Sequence, residues 1–244
     1  MTKLKNKNFE KYIEIAVVIL LGITALLTAW ATWVGSLHSG NQSTNYTLSN
    51  NLASEGNSEY NAGMQSLMQD MLVWNDIADL QFDFINAINT GDDETAATVA
   101  EKLYWKLNEN LSEDYAAQIA WEFEETDDYV TVIDEWTNYE EAVNSPFNDE
   151  DFVDSYFTYA NELLTESADT LEQGKEDNSN GDKFGLVTVI FSIALFLLGI
   201  VSTIKSTKNK YILLAIAVVS ILIATIFMFT IPMPTGFDLF SFLG

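Results

Sequence analysis

The chain has no cysteine and no arginine, and its 244 residues include one histidine and three prolines. Without thiols there are no disulfides, no thiolate metal sites and no cysteine nucleophile. A lone His38 excludes zinc and copper sites of the usual nitrogen and sulfur type within one chain. The paired Glu-x-x-His motifs of a carboxylate-bridged di-iron bundle are missing as well. Ser-His-Asp catalysis would have to recruit His38 itself, and no G-x-S-x-G elbow accompanies it. His38 follows an apolar run and opens a polar one, so it reads as an interfacial side chain. Base is scarce: 36 Asp and Glu stand against 11 Lys, a net charge of −25. Such a surface repels phosphates and excludes nucleic acid as a partner.

What the chain does have is three long apolar runs, at residues 13–37, 184–204 and 211–233, each matching the roughly 20 residues that cross about 30 Å of hydrocarbon as a helix. Of the acids, 33 fall between residues 38 and 183, with only four of the lysines. The pattern predicts an all-α integral membrane protein with three transmembrane helices and an acidic body between the first two. Lys3, Lys5, Lys7 and Lys11 precede the first run, and Lys205, Lys208 and Lys210 lie in the only connection between the second and third. The positive-inside rule therefore places residues 1–12 and the 205–210 loop in the cytoplasm, and residues 38–183 and the C-terminus outside the cell membrane. About 23 apolar residues exceed a typical signal-peptide core, so the first run reads as a span and not as a cleaved leader. No charge lies at mid-membrane, which argues against a proton-coupled transporter. Thr24, Thr28, Thr188, Ser192 and Ser202 are expected to back-bond or pack helices and not to line a pore.

Trp30 and Trp33 close the first span and read as membrane anchors at the outer headgroups. Residues 38–63 read as a polar stalk, helical with breaks at Gly40, Gly56 and Gly63. Residues 64–175 form the expected extracytoplasmic bundle of four or five helices. Leu67, Met71, Trp74, Ala78, Gln81, Ile85 and Ile88 advance in steps of four and three, with Leu80 and Phe84 widening the stripe, and predict an amphipathic helix that faces inward. Thr90-Gly91 breaks it. Asp92, Asp93 and Glu94 then sit at the start of a helix with Ala96, Val99, Ala100, Leu103 and Leu107 inward. Ser112 is the expected cap of the next segment, with Ala116, Ile119, Ala120 and Phe123 inward, and Tyr129, Val132, Ile133 and Trp136 follow in one bent helix or two. After Ser145-Pro146, Asn148 is the expected cap of a last helix with Phe152, Tyr156, Tyr159, Ala160, Leu163, Leu164 and Leu171 inward. Residues 176–183 read as a polar linker, and the second and third spans as an antiparallel hairpin. The tail, 234–244, is apolar, and its Phe237 and Phe240 are expected to anchor at the interface.

Among the acidic clusters, Asp149, Asp151 and Asp154 are the oxygen-ligand candidates for Ca²⁺ or Mg²⁺. The D-x-D-x-D-G spacing is absent, and consecutive acids on a helix point in different directions. A solvated acidic surface is the expectation, with no catalytic, cofactor or metal residue assigned.

The segments WATWVGSLHSGNQSTNY, after the first span, and NGDKFGLVTVIFSIALFLLGI, opening the second, resemble a family of uncharacterised prokaryotic three-span membrane proteins with a helical extracytoplasmic domain. The resemblance implies topology and brings no activity, cofactor or catalytic residue. The expected role is that of a non-enzymatic accessory subunit, scaffold or envelope sensor. Its expected partners are the lipid bilayer and either other membrane chains or further copies of itself. The rival reading is a subunit of an oligomeric cation channel with an acidic vestibule.

Overall fold

The computed structural model describes residues 2–122, 125–204 and 206–237, with the side chains of residues 2–10 excepted. All regular structure among them is helical: α1 (Thr2–Thr90), α2 (Asp93–Asn110), α3 (Glu113–Gln118), α4 (Tyr129–Trp136), α5 (Glu140–Val143), a 3₁₀ turn (Pro146–Asn148), α6 (Glu150–Ser155), α7 (Thr158–Thr203) and α8 (Thr207–Thr230). Within α1, α7 and α8 lie the three segments long and apolar enough to cross a membrane. The helices form two compact units, one of residues 1–51 and 167–244, the other of residues 52–166.

In the first unit, Val17, Ala31 and Val34 of α1 meet Phe184, Val187, Phe191 and Leu198 of α7 and Ala217, Ile221, Ala224 and Met228 of α8 in one buried core. The opposite faces are just as apolar and open: Leu26, Phe196 and Phe229 are 74%, 67% and 72% exposed. Apolar side chains pointing outward along the whole span suit hydrocarbon as the surrounding medium. Five span hydroxyls, those of Thr24, Thr28, Thr188, Ser192 and Ser202, bond to their own helices. Thr24 donates to the Leu20 carbonyl at 2.7 Å, Thr28 to Thr24 at 2.7 Å, Thr188 to Phe184 at 3.0 Å and Ser192 to Thr188 at 2.8 Å, as expected for back-bonding hydroxyls.

The second unit has a core of Trp74, Ile77, Phe84, Leu103, Tyr104, Leu107, Tyr115, Ile119, Ile133 and Trp136. Its aromatic rings meet edge to face, Trp121 on Trp136 at 5.6 Å and Tyr104 on Trp121 at 5.9 Å. Both indole N–H groups find acceptors: Trp136 Nε1 donates to the Ile119 carbonyl at 2.9 Å and Trp121 Nε1 to Asn108 Oδ1 at 3.0 Å. α2 runs as its sequence dictates. Asp92 caps it, and Ala96, Val99, Ala100, Leu103 and Leu107 are buried, with Tyr104 beside them. Ser112 caps α3 by accepting from the Tyr115 amide.

Several expectations are corrected. Residues 38–63 lie wholly within α1, without breaks at Gly40, Gly56 or Gly63, and residues 176–183 lie within α7. At Gly56 and Gly63 packing overrides glycine's poor propensity, because the neighbouring segment approaches too closely for a side chain: a Cβ on Gly63 would clash with the Tyr156 carbonyl oxygen, and one on Gly56 would stand 2.9 Å from Leu164 Cγ. On α1, Met71, Ile85 and Ile88 face outward, whereas Ile77, Phe84 and Ala87 are buried. Both faces are apolar, and the core formed with Val99 and Leu103 selects the one centred on Trp74, Ile77 and Phe84. Of the two alternatives, one bent helix or two, the structure has two, α3 and α4; Tyr115 is buried where Ala116 and Ala120 are only half-buried. Phe123 lies outside the described residues. Asp149, not Asn148, caps α6. Tyr159 and Leu171 are exposed, while Phe157, Ala160 and Leu163 carry the inward face.

Two helix ends close the same way. At the end of α1, the Asp92 amide donates to the Ala87 carbonyl and Gly91 to Ile88; at the end of α3, Trp121 donates to Ala116 and Ala120 to Ala117. The motif requires a left-handed residue, supplied by Gly91 at φ 72° and by Ala120 at φ 51°. Only the first carries a glycine to mark it.

Gly63→Ala is expected to destabilise the protein by about 1–3 kcal/mol, because the carbonyl it meets belongs to the backbone and cannot rotate away. Gly40→Ala, with nothing within 4 Å of the added carbon, is expected to be neutral or to stabilise by up to about 1 kcal/mol. Thermal unfolding of the two variants side by side checks the contrast.

Candidate functional site

In the first unit, the lower part of α7 presents Ser167, Thr170, Gly174, Asp177, Gly181 and Phe184 in steps of three and four, which places them on one face. That face meets α1. The Ser49 hydroxyl donates to the Ser167 carbonyl and the Ser167 hydroxyl to the Ser49 carbonyl, both at 2.8 Å. Small residues let two backbones approach, and their hydroxyls then bond across.

About three turns further along this contact, where α7 presents Asp177, stands the only histidine, on α1. His38 is 1% exposed and Asp177 6%, and Nδ1 lies 2.7 Å from Asp177 Oδ1. Its Nε2 lies 3.1 Å from the Pro232 carbonyl oxygen, just beyond α8, and the ring stacks on Phe184 at 5.8 Å. Asn45 donates to the second carboxylate oxygen at 3.3 Å. A carboxylate oxygen and a carbonyl oxygen stand against the two ring nitrogens, so each buried polar group of the site has a partner within the chain, as a low-dielectric site demands. The site ties α1, α7 and the chain after α8 to one another.

The expected anchors near it come together. Trp30 and Trp33 meet edge to face at 5.4 Å, and Phe237 packs on both, at 6.1 and 5.7 Å. Phe240 lies outside the described residues.

The second unit holds a smaller polar cluster. Tyr156 OH donates to Asp70 Oδ2 at 2.6 Å and Tyr115 OH to the Asp70 carbonyl at 3.2 Å. Burial, and then the neighbouring Asp70 charge, push both phenols above their ordinary range. They remain neutral donors across the physiological range. Gln81, the one polar residue in the expected stripe of α1, is buried and donates to the Ala142 carbonyl at 2.7 Å. An open cleft of about 620 Å³ beside α3 is lined by Leu111, Ala116 and Trp121, with Glu113 and Glu122 as its titratable groups.

The structure does not bring Asp149, Asp151 and Asp154 together as ligands, and among the described residues no three His, Asp or Glu side chains converge on a metal-sized site. Asp149 is occupied as a cap, accepting from the Asp151 and Phe152 amides at 3.0 and 3.4 Å and from Gln118 Nε2 at 2.9 Å. The Gln118 bond, then the amide bonds, hold its carboxyl below the usual range. Asp92 is held low in the same way by the Thr95 hydroxyl, at 2.7 Å, and then by the Thr95 amide, at 3.1 Å. A carboxyl lowered in the folded state contributes stability above the ordinary carboxylate range and loses it as pH falls through the folded value. Asn also caps helices but does not titrate. On acidification, the wild type is therefore expected to lose stability relative to an Asp92→Asn/Asp149→Asn variant. Paired thermal melts across the acid range check this, and a constant difference between the two proteins would contradict it.

No known protein family, curated protein or solved structure matches the chain.

Proposed function

We propose that the chain is a non-enzymatic integral membrane protein that holds an acidic helical unit outside the cell, acting as an accessory subunit, scaffold or envelope sensor. The observation that carries the reading is the state of His38. The side chain best suited to catalysis is buried, with both ring nitrogens bound to partners within the chain, and it serves to fasten helices. In this reading the protein crosses the cell membrane three times, the lysines around the first span and in the 205–210 loop face the cytoplasm, and residues 38–183 face outward. The resemblance of its membrane-flanking segments to three-span prokaryotic proteins points the same way. The channel reading draws no support from Thr24, Thr28, Thr188 and Ser192, whose hydroxyls bond to their own helices.

Mild-detergent extraction from the native membrane, followed by mass measurement of the intact assembly and identification of its chains, tests the role. A defined complex with other membrane or envelope proteins is the expected result. A ring-shaped homo-oligomer that conducts cations when reconstituted would replace this reading with the channel.

A further inference from the structure

α1 is apolar on two faces within the second unit. One face, through Trp74, Ile77 and Phe84, is buried in the core. The other is open: Met64, Met68, Met71, Leu72, Phe82 and Ile85 are 37% to 73% exposed. At 100° per residue, these six spread over about 140° of the helix, centred about 130° from the middle of the Trp74, Ile77 and Phe84 face, with Ile85 at the edge beside Trp74. They form two patches. Leu72 and Phe82 are ten residues apart, about 15 Å along the axis, with Asn75 and the exposed Asp79 between them and Asp83 beside Phe82. Exposed apolar patches rimmed by polar residues mark an interaction site, and methionine, unbranched and polarizable, adapts to varied partners.

The charge around the stripe selects the occupant. Residues 52–166 contain 28 Asp and Glu and two Lys, and one of those lysines, Lys106, is already paired with Asp76 at 2.6 Å. A second copy would bring the same negative field against itself, and Asp79 and Asp83 disfavour an anionic lipid surface. We propose that this face of α1 docks a cationic amphipathic helix of a partner protein. Its apolar anchors would lie about three turns apart, over Met68 to Leu72 and over Phe82 to Ile85, with Lys or Arg between them facing Asp79 and Asp83. The inference rests on the proposed presenting role and names the class of partner that role serves.

The test uses the full chain in nanodiscs, open on both sides, so that it reads binding whichever way the protein sits in a cell. A failed orientation thus remains distinguishable from failed docking. The probe is a synthetic Leu/Lys amphipathic helix with that anchor spacing, and a Leu/Glu counterpart is the control. Saturable binding of the Lys peptide alone is expected, at least tenfold weaker for Leu72→Gln/Phe82→Gln. Asp79→Asn/Asp83→Asn is expected to bind at least threefold more weakly, with a shallower dependence on salt. Val143→Gln, an exposed apolar position off the stripe, should bind as the wild type does. Because the altered side chains are exposed, unchanged melting temperatures are expected to show that every variant is folded. No binding, equal binding of the Glu peptide, or equal binding by the Leu72→Gln/Phe82→Gln protein would overturn the proposal. Self-association of the chain that those two substitutions abolish would also overturn it and assign the face to a second copy.

Discussion

Asp177→Ala is expected to lower the stability of the full chain by about 3–5 kcal/mol, the cost of removing one partner from a buried His–Asp pair. The loss arises because His38, 1% exposed between Phe184 and the Pro232 carbonyl, would keep a buried ring nitrogen without its carboxylate partner. Asp177→Asn should cost less, about 1 kcal/mol, since an amide can donate to Nδ1 while Nε2–H keeps the Pro232 carbonyl. The double replacement of His38 and Asp177 by alanine should cost less than the sum of the two single replacements, the signature of direct coupling. Equilibrium unfolding in a fixed detergent gives all four values. A loss below about 1 kcal/mol for Asp177→Ala would show that the pair contributes little beyond its geometry.

Trp74→Ala is expected to cost about 3–5 kcal/mol, because the ring is 7% exposed among Ile77, Phe84 and Leu103 and the cavity left behind cannot close fully. Met71→Ala, one turn earlier and 44% exposed, should stay within about 0.5 kcal/mol. From the sequence alone the two positions belong to one stripe. Chemical denaturation of both variants, compared at equal slope, separates the buried face of α1 from the open one. Similar losses at both would contradict the register described here.

Local signals carried most of what the sequence disclosed. The inward face of α2 was legible, since its acidic first turn and 3.6-residue period lie within the helix itself, although Asp92, read as part of that turn, is its cap. The three apolar runs and the Gly91 closure of α1 were equally plain. The face of α1 was not: its two apolar sides differ only in what packs on them, and that is decided by tertiary packing with α2 and α4 and not by any signal within α1. Ala120 closes α3 in a conformation that glycine usually signals, and no local cue announced it. Asn148 and Asp149 are both competent caps, and only the course of the preceding 3₁₀ turn chooses between them.

The His38 site was hidden for a related reason. Its partners lie 139 and 194 residues away, and Asp177 sits in a run, EDNSNGDK, whose composition imitates a linker. One signal does survive in the sequence. Ser167, Thr170, Gly174, Asp177 and Gly181 keep steps of three and four that run on into Phe184, a helical face of small and polar residues leading straight into a span. Such a face in an apparent linker marks a helix in close contact, with its charged member buried.

Orientation in the membrane tests the account most directly. Because the chain has no cysteine, single cysteines at Asn110 and Ser206, both exposed, can be probed with a thiol reagent that does not cross membranes. The account predicts that Asn110→Cys is labelled in intact cells and that Ser206→Cys is labelled only after the membrane is opened; labelling of intact cells at Ser206→Cys but not at Asn110→Cys would contradict it.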